Sequence, residues 1–287
     1  MPIPVGQAAD FAVLYNGTGG HNLSITNVTV NGKVGVGGTG AVQFSGPGAI
    51  NGPLDFSASN SSQFHNSNGS NVGPSSVSYS QSSVTTALSE LATLSSSLAG
   101  TGNSLALNGN QTVLASGGLL ETINGVSYRA FNVGSYSSGD GKLLTIQGDG
   151  TGTPVVLNFG FNSNVNLGGD IALLGLSSDQ VLFNFTSSGK NISLNNNASS
   201  YPNLAFQGII LALDDAMSIT NANLRGRFFG GDSSDMQIVS GTTITAPEQR
   251  TPVPEPASTA LVALALAALA LVRVRRRTPL PTSTSNM

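Results

Sequence analysis

Beyond Asn22 the chain is cut into short runs in which apolar and polar residues alternate, each closed by Gly or Asn. Examples are LSITNVTVNGKVGVGG (Leu23 to Gly38), AVQFSG (Ala41 to Gly46), LLTIQGDG (Leu143 to Gly150), VVLNFGF (Val155 to Phe161), NISLNNN (Asn191 to Asn197) and SITNANLRG (Ser218 to Gly226). Alternation puts every second side chain on one face of a strand, and the Gly or Asn ends the strand soon after. The runs recur at irregular intervals, as expected of rungs in an irregular parallel β-helix whose loops vary in length. Inward Val, Ile, Leu and Phe would fill such a stack, with Asn and Gly at its corners. A β-sandwich competes, because Asn31-Gly32 and Asn124-Gly125 are hairpin signals. The Asn-rich corners and Gly-Gly pairs favour the β-helix.

One segment breaks this pattern. In SVTTALSELATLSSSLAG (Ser83 to Gly100), Val84, Leu88, Leu91, Leu94 and Leu98 recur at steps of three and four residues. That spacing predicts a helix over about 83–99, capped by Ser82 or Ser83 and ended by Gly100. Its leucine stripe should lie along a sheet.

Composition agrees with a mostly β body. There are 36 glycines, 39% hydrophobic residues and only 9% charged ones. A disordered chain is normally less apolar and more charged. With no cysteine, disulfides and thiol chemistry are excluded. The formal charge is −3, yet before Val253 thirteen acidic residues stand against seven basic ones. No basic face is available for nucleic acid, so none is expected as a partner.

The carboxyl end is of another kind. Val253-Pro254-Glu255-Pro256 precedes ASTALVALALAALALV (Ala257 to Val272), and Arg273, Arg275, Arg276 and Arg277 follow at once. As a helix the apolar run would be about 24 Å long at 1.5 Å per residue. It carries no charge, and flanking arginines favour the cytoplasmic side of a membrane. The expected layout is a β-rich exported body at 1–246, a Pro-rich linker with the motif at 247–256, one transmembrane helix at 257–272 and a basic cytoplasmic tail at 273–287. Pro254 and Pro256 lack N–H groups and resist helix, which leaves Glu255 on an extended, accessible segment.

This three-part order resembles the PEP-CTERM sorting signal, also called the ice-binding protein C-terminal domain. The resemblance implies that Val253, Pro254, Glu255 and Pro256 form the sorting motif and the four arginines the stop-transfer signal. It implies an exosortase, a membrane-embedded cysteine transpeptidase, as processing enzyme, membrane lipid as a partner of the precursor, and release of the body to the cell surface or extracellular matrix. Ten residues, TPLPTSTSNM, follow the arginines, where that family usually stops sooner. The start, MPIPVGQAADFAVLY, lacks a basic n-region and an apolar h-region, so a leader upstream of Met1 is expected.

The body carries a second resemblance. FAVLYNGTGG (Phe11 to Gly20), NGKVGVGG (Asn31 to Gly38), FQGIILA (Phe206 to Ala212) and NANLRGRFFGGD (Asn221 to Asp232) resemble choice-of-anchor A surface domains and, more remotely, ice-binding adhesin domains. The latter family implies an irregular β-helix packed against one long helix.

Candidate sites are few. Gly35, Gly37 and Gly40 spell G-x-G-x-x-G, but a strand-like run follows where a dinucleotide site needs a helix. His21 and His65 have no second ligand at metal spacing. Asp140, Asp149, Asp232 and Asp235 lie in Gly/Ser-rich turns, GGDSSD (Gly230 to Asp235) being the best calcium candidate, without a full acidic repeat. Asp214, Asp215, Arg225 and Arg227 are the conceivable members of a carbohydrate-active site. Thr26-Asn27-Val28-Thr29 and Thr242-Thr243-Ile244-Thr245 are short, and the sequence shows no repeat that brings them into register. Sequons occur at Asn16, Asn27, Asn184 and Asn197. The resulting expectation is an exported, non-enzymatic surface or matrix protein with no catalytic residues, cofactor or metal, and with exopolysaccharide as a partner of its body. The alternatives are an ice- or glycan-binding adhesin and a β-helix carbohydrate-active enzyme.

Overall fold

Parallel strand pairing dominates the structure. The computed structural model describes residues 1–247 other than 68, 70, 138–141, 196–204 and 232–234. The sorting motif, the apolar run and the four arginines all lie outside the described residues. Among those described, no helix is long and apolar enough to cross a membrane.

A long sheet follows a path of ten strands: Asn103–Asn108, Val126–Ser137, Val155–Phe159, Val181–Phe185, Phe206–Ala212, Asn223–Gly230, Phe11–Tyr15, Lys33–Val36, Leu54–Phe56 and Val77–Ser78. Every pair along it is parallel. The order is not that of the chain. Phe11–Tyr15 inserts between Asn223–Gly230 and Lys33–Val36, so the first strands stack directly on the last. A seven-stranded sheet repeats this order with Val165–Gly168, Asn191–Asn195, Ala216–Thr220, Met236–Val239, Asn22–Thr26, Ala41–Ser45 and Phe64–Asn66. A three-stranded sheet joins Gln111–Leu114, Leu143–Gln147 and Asp170–Leu174.

Among the described residues, the one antiparallel strand pair is the hairpin Leu119–Ile123 with Val126–Ser137. Its turn is Asn124-Gly125, both at positive φ (52° and 80°), as a type I′ turn requires. Asn31-Gly32 does not make a hairpin. It is a corner between two strands that pair elsewhere, and Gly32 takes φ 141° with Ala12 against it. The antiparallel pairing of a sandwich is therefore missing from the described sheets.

The predicted helix forms at Ser82–Leu98. It buries Val84, Ala87, Leu91, Leu94 and Leu98, while Leu88 is only half-buried and Ala87 takes the place expected for it. Neither Ser82 nor Ser83 caps it. The N-cap is Gln81, whose side chain bonds Tyr79 O instead. At the other end Gly100 adopts φ 70°. The 17-residue helix is about 25 Å long, or about five strand spacings. It carries the chain from the Val77–Ser78 end of the long sheet back towards the Asn103–Asn108 end.

Two apolar layers result. One joins the three sheets, with Phe44, Phe159, Phe183, Phe206 and Phe228 among its largest members. The other lies between the helix and the outer face of the long sheet, where the helix stripe meets Leu14, Val156, Leu182, Ile209 and Phe229. Covered on both faces, Phe11–Tyr15, Val155–Phe159 and Val181–Phe185 are buried throughout.

Two polar residues interrupt this second layer. Asn184 Nδ2 donates to Ser95 O (3.2 Å) and to Asn158 Oδ1 (2.9 Å), and Ser95 Oγ donates to Asn184 Oδ1 (2.6 Å). Asn158 Nδ2 donates in turn to Thr101 O (3.0 Å). Both asparagines are fully buried, so this ladder pins the helix end to the sheet. The sequon at Asn184 is consequently closed to any sugar.

Candidate adhesive face

The seven-stranded sheet turns one side of its alternation inward and the other outward. Leu23, Ile25, Val42, Phe44, Ile192, Leu194, Met217, Ile219 and Ile238 are buried. Between them, outward side chains fall into ranks fixed by the parallel register. The middle rank crosses all seven strands: Asn166, Ser193, Ser218, Gln237, Ser24, Gln43 and His65. Beside it run Asn195, Thr220, Val239, Thr26 and Ser45, with Thr26 and Ser45 hydroxyls 2.8 Å apart. Neighbours in a rank sit on strands about 4.8 Å apart. The seven strands contain no Lys, Arg, Asp or Glu. Apart from Val239 and the His65 imidazole, these two ranks thus present a lattice of amides and hydroxyls, each able to bond other hydroxyl groups.

Register also corrects the expectation for the two Thr runs. Strand Thr243–Thr245 pairs with Thr29–Asn31, which sets Thr243 beside Thr29 and Thr245 beside Asn31. Asn31 Nδ2 donates to Thr245 Oγ1 (3.2 Å), and Asn51 Nδ2 donates to Asn31 Oδ1 (2.8 Å). Runs from opposite ends of the chain therefore form one polar patch.

The other candidates are separated or engaged in structure. Gly35 packs on Leu14 and Phe11, Gly37 on Asn16 O and Leu88, and Gly40 on Gly17 and Tyr15; the three glycines serve close packing. Asp149 pairs with Arg129 (2.8 Å) and accepts from Thr151 N (3.0 Å) and Thr151 Oγ1 (2.5 Å). The Thr151 bonds, with Arg129 beside them, hold its carboxyl down at about 2. Asp140 and Asp232 lie outside the described residues, and among those described no group of three metal-binding side chains occurs.

Asp214 is exposed on a groove of about 620 Å³ between the helix and the strand-end turns, whose polar lining is otherwise mainly hydroxyl groups such as Thr85, Ser89 and Thr186. Asp215 is buried away from solvent, accepting from Lys190 N (2.8 Å) and Ser187 Oγ (3.1 Å). Burial raises its pKa. Arg227 is also buried, donates to Phe11 O, and sits opposite Ile209, five residues before Asp214. Arg225 sits opposite Gln207, further still from the aspartates. The two arginines and two aspartates do not converge.

Comparison with known proteins bears on the body alone. A family model for an ice-binding-like adhesive domain matches residues 5–238. No curated protein matches the chain significantly. Among solved structures, an ice-binding protein from the Antarctic ascomycete Antarctomyces psychrotrophicus superposes with a TM-score of 0.52 at 15% identity, covering 87% of this chain and 100% of that one. The ice-binding protein LeIBP from an Arctic yeast gives a TM-score of 0.52 at 16% identity, covering 88% and 97%. These likenesses identify the fold: mostly β with one packed helix.

Proposed function

The chain belongs to the ice-binding-like adhesive domain family, and from that premise we propose that it is a non-enzymatic adhesin which docks a hydroxyl-rich surface through its seven-stranded sheet. The middle rank of seven amide, hydroxyl and imidazole side chains carries this reading. An extended, uncharged lattice matches a polysaccharide, whose hydroxyls are uncharged donors and acceptors spread over a long repeat. The uneven side chains, Gln237 and Gln43 flanking the short Ser24, favour a corrugated polymer. Ice is the second reading, favoured by the Thr220, Thr26 and Ser45 rank and by what the structural relatives are named for. We read the stack itself as an irregular parallel β-helix.

The test is to block the face. Ser24→Tyr with Gln43→Tyr places two rings on outward strand positions that tolerate aromatics. Binding to polysaccharide-coated beads and to a growing ice surface is measured beside thermal unfolding. The expected result is a loss of at least about tenfold in binding, about 1.4 kcal/mol, with unfolding unchanged. Full retention of both binding activities sinks the proposal.

Delivery belongs to the same proposal. Val253, Pro254, Glu255 and Pro256 would present the precursor to an exosortase while the apolar run and Arg273, Arg275, Arg276 and Arg277 hold it in lipid, placing the body at the cell surface or in an exopolysaccharide matrix. Substituting Glu255 and Pro256 should leave full-length chain in membranes; unchanged processing counts against the sorting role.

A further inference from the structure

Where the strands of the adhesive face begin, the register leaves a notch. Asn191 lies beside Ala216, and Ser218 lies beside Gln237. One step back along that register, Asp235 falls opposite Ala216 and, on its other side, opposite Asn22. The series Asn191, Ala216, Asp235 therefore has a one-carbon side chain between an amide and a carboxylate. At one strand spacing of about 4.8 Å each, the flanking residues are about 10 Å apart. The notch encloses about 160 Å³, is lined by Asn191, Ser218, Asp235 and Gln237 as its polar groups, and is floored by Ala216 and Met217.

The carboxylate is held in place. Asp235 Oδ1 accepts from Asn22 N at 2.7 Å, and His21 Nδ1 lies 3.8 Å from the same oxygen. The Asp235 side chain is nonetheless 42% exposed. A fixed carboxylate accepts from two neighbouring hydroxyls at once, and bonds to a charged acceptor are the stronger kind. The amides of Asn191 and Gln237 offer both donors and acceptors to the remaining hydroxyls. A single carboxylate, with no cation among the lining residues, disfavours sulfated or carboxylated sugars.

We propose that this notch is the specificity subsite of the adhesive face and takes one vicinal-diol sugar unit of a neutral polysaccharide. The inference rests on the docking role proposed for the sheet and adds the ligand class. Asp235→Asn keeps the acceptor for Asn22 N–H and removes the charge. Gln237→Ala removes an amide from an exposed strand position. Both are titrated with mannan and dextran, with dextran sulfate as the charged counterpart, and compared with the Ser24→Tyr, Gln43→Tyr protein. The expected result is at least a tenfold loss of mannan or dextran binding in Asp235→Asn and a smaller loss in Gln237→Ala, with unfolding unchanged and dextran sulfate bound more weakly than dextran by the native protein. Native-like polymer binding in Asp235→Asn, while the tyrosine variant loses it, overturns the subsite and leaves the face standing. Native-like binding in the tyrosine variant as well overturns both. Tighter binding of dextran sulfate than of dextran by the native protein also overturns the subsite.

Discussion

Gly226→Ala is expected to destabilise the body by about 3 kcal/mol or more, a large fraction of the roughly 5–15 kcal/mol that keeps a typical domain folded. Gly226 and Gly208 face each other across two central strands of the long sheet. A Cβ on Gly226 would stand 1.8 Å from Gly208 O and 2.8 Å from Gly208 C, both backbone atoms. No rotamer change relieves such a clash; the strands must separate. Gly208 itself sits at φ 133°, which disfavours a shift into an ordinary strand geometry with a side chain. The damage falls where Asn223–Gly230 supports Phe11–Tyr15, so the docking of the first strands on the last weakens as well. Gly134→Ala is the control, since its Cβ meets nothing within 4 Å and its φ is not in the left-handed region. Its effect should stay within about 0.5 kcal/mol. Chemical denaturation followed by circular dichroism measures both. A Gly226→Ala midpoint equal to the native one contradicts the close approach.

The second large effect is expected at the helix. Leu91 is fully buried at the middle of the stripe that meets the long sheet. Leu91→Ala removes apolar contact and leaves a cavity between two elements that cannot easily close together, because the Asn184 and Asn158 ladder holds the helix at its spacing. The expected cost is about 3 kcal/mol. Amide exchange should rise first in the helix and in Val155–Phe159 and Val181–Phe185, the strands it covers. Thr93→Ala, on the exposed side of the same helix, should cost under about 0.5 kcal/mol. Equal losses in the two variants contradict the assignment of the buried face.

The elements themselves were legible because their causes are local. Alternation in Leu23 to Gly38 and Val155 to Phe161 marks strands whichever neighbours they later meet. The leucine spacing of Ser83 to Gly100 marks a helix to within a residue or two of its observed limits. Asn124-Gly125 marks a hairpin because positive φ at two successive residues is a property of the turn alone. The same dipeptide at Asn31-Gly32 misleads, since its strands take other partners and the turn has no antiparallel pair to join. Ser82 and Ser83 mislead as caps for a related reason: Gln81 already supplies the extended entry, its N–H bonded to Phe56 O and its side chain to Tyr79 O.

What the chain alone determined is thus the kind of protein: short strands, one amphipathic helix, a polar body sparse in charge and a separate apolar carboxyl end. What only the tertiary structure decided is who stands beside whom. A parallel strand of this length carries no turn linking it to its neighbour, so its register is set by inward side chains nesting against strands that lie as far as most of the body's length away in the chain. That is why Thr29 meets Thr243, why Ser24 stands beside Gln237, and why Asp235 faces a notch above Ala216. Each of those residues is ordinary in the sequence; their alignment in ranks comes from packing the cores beneath them.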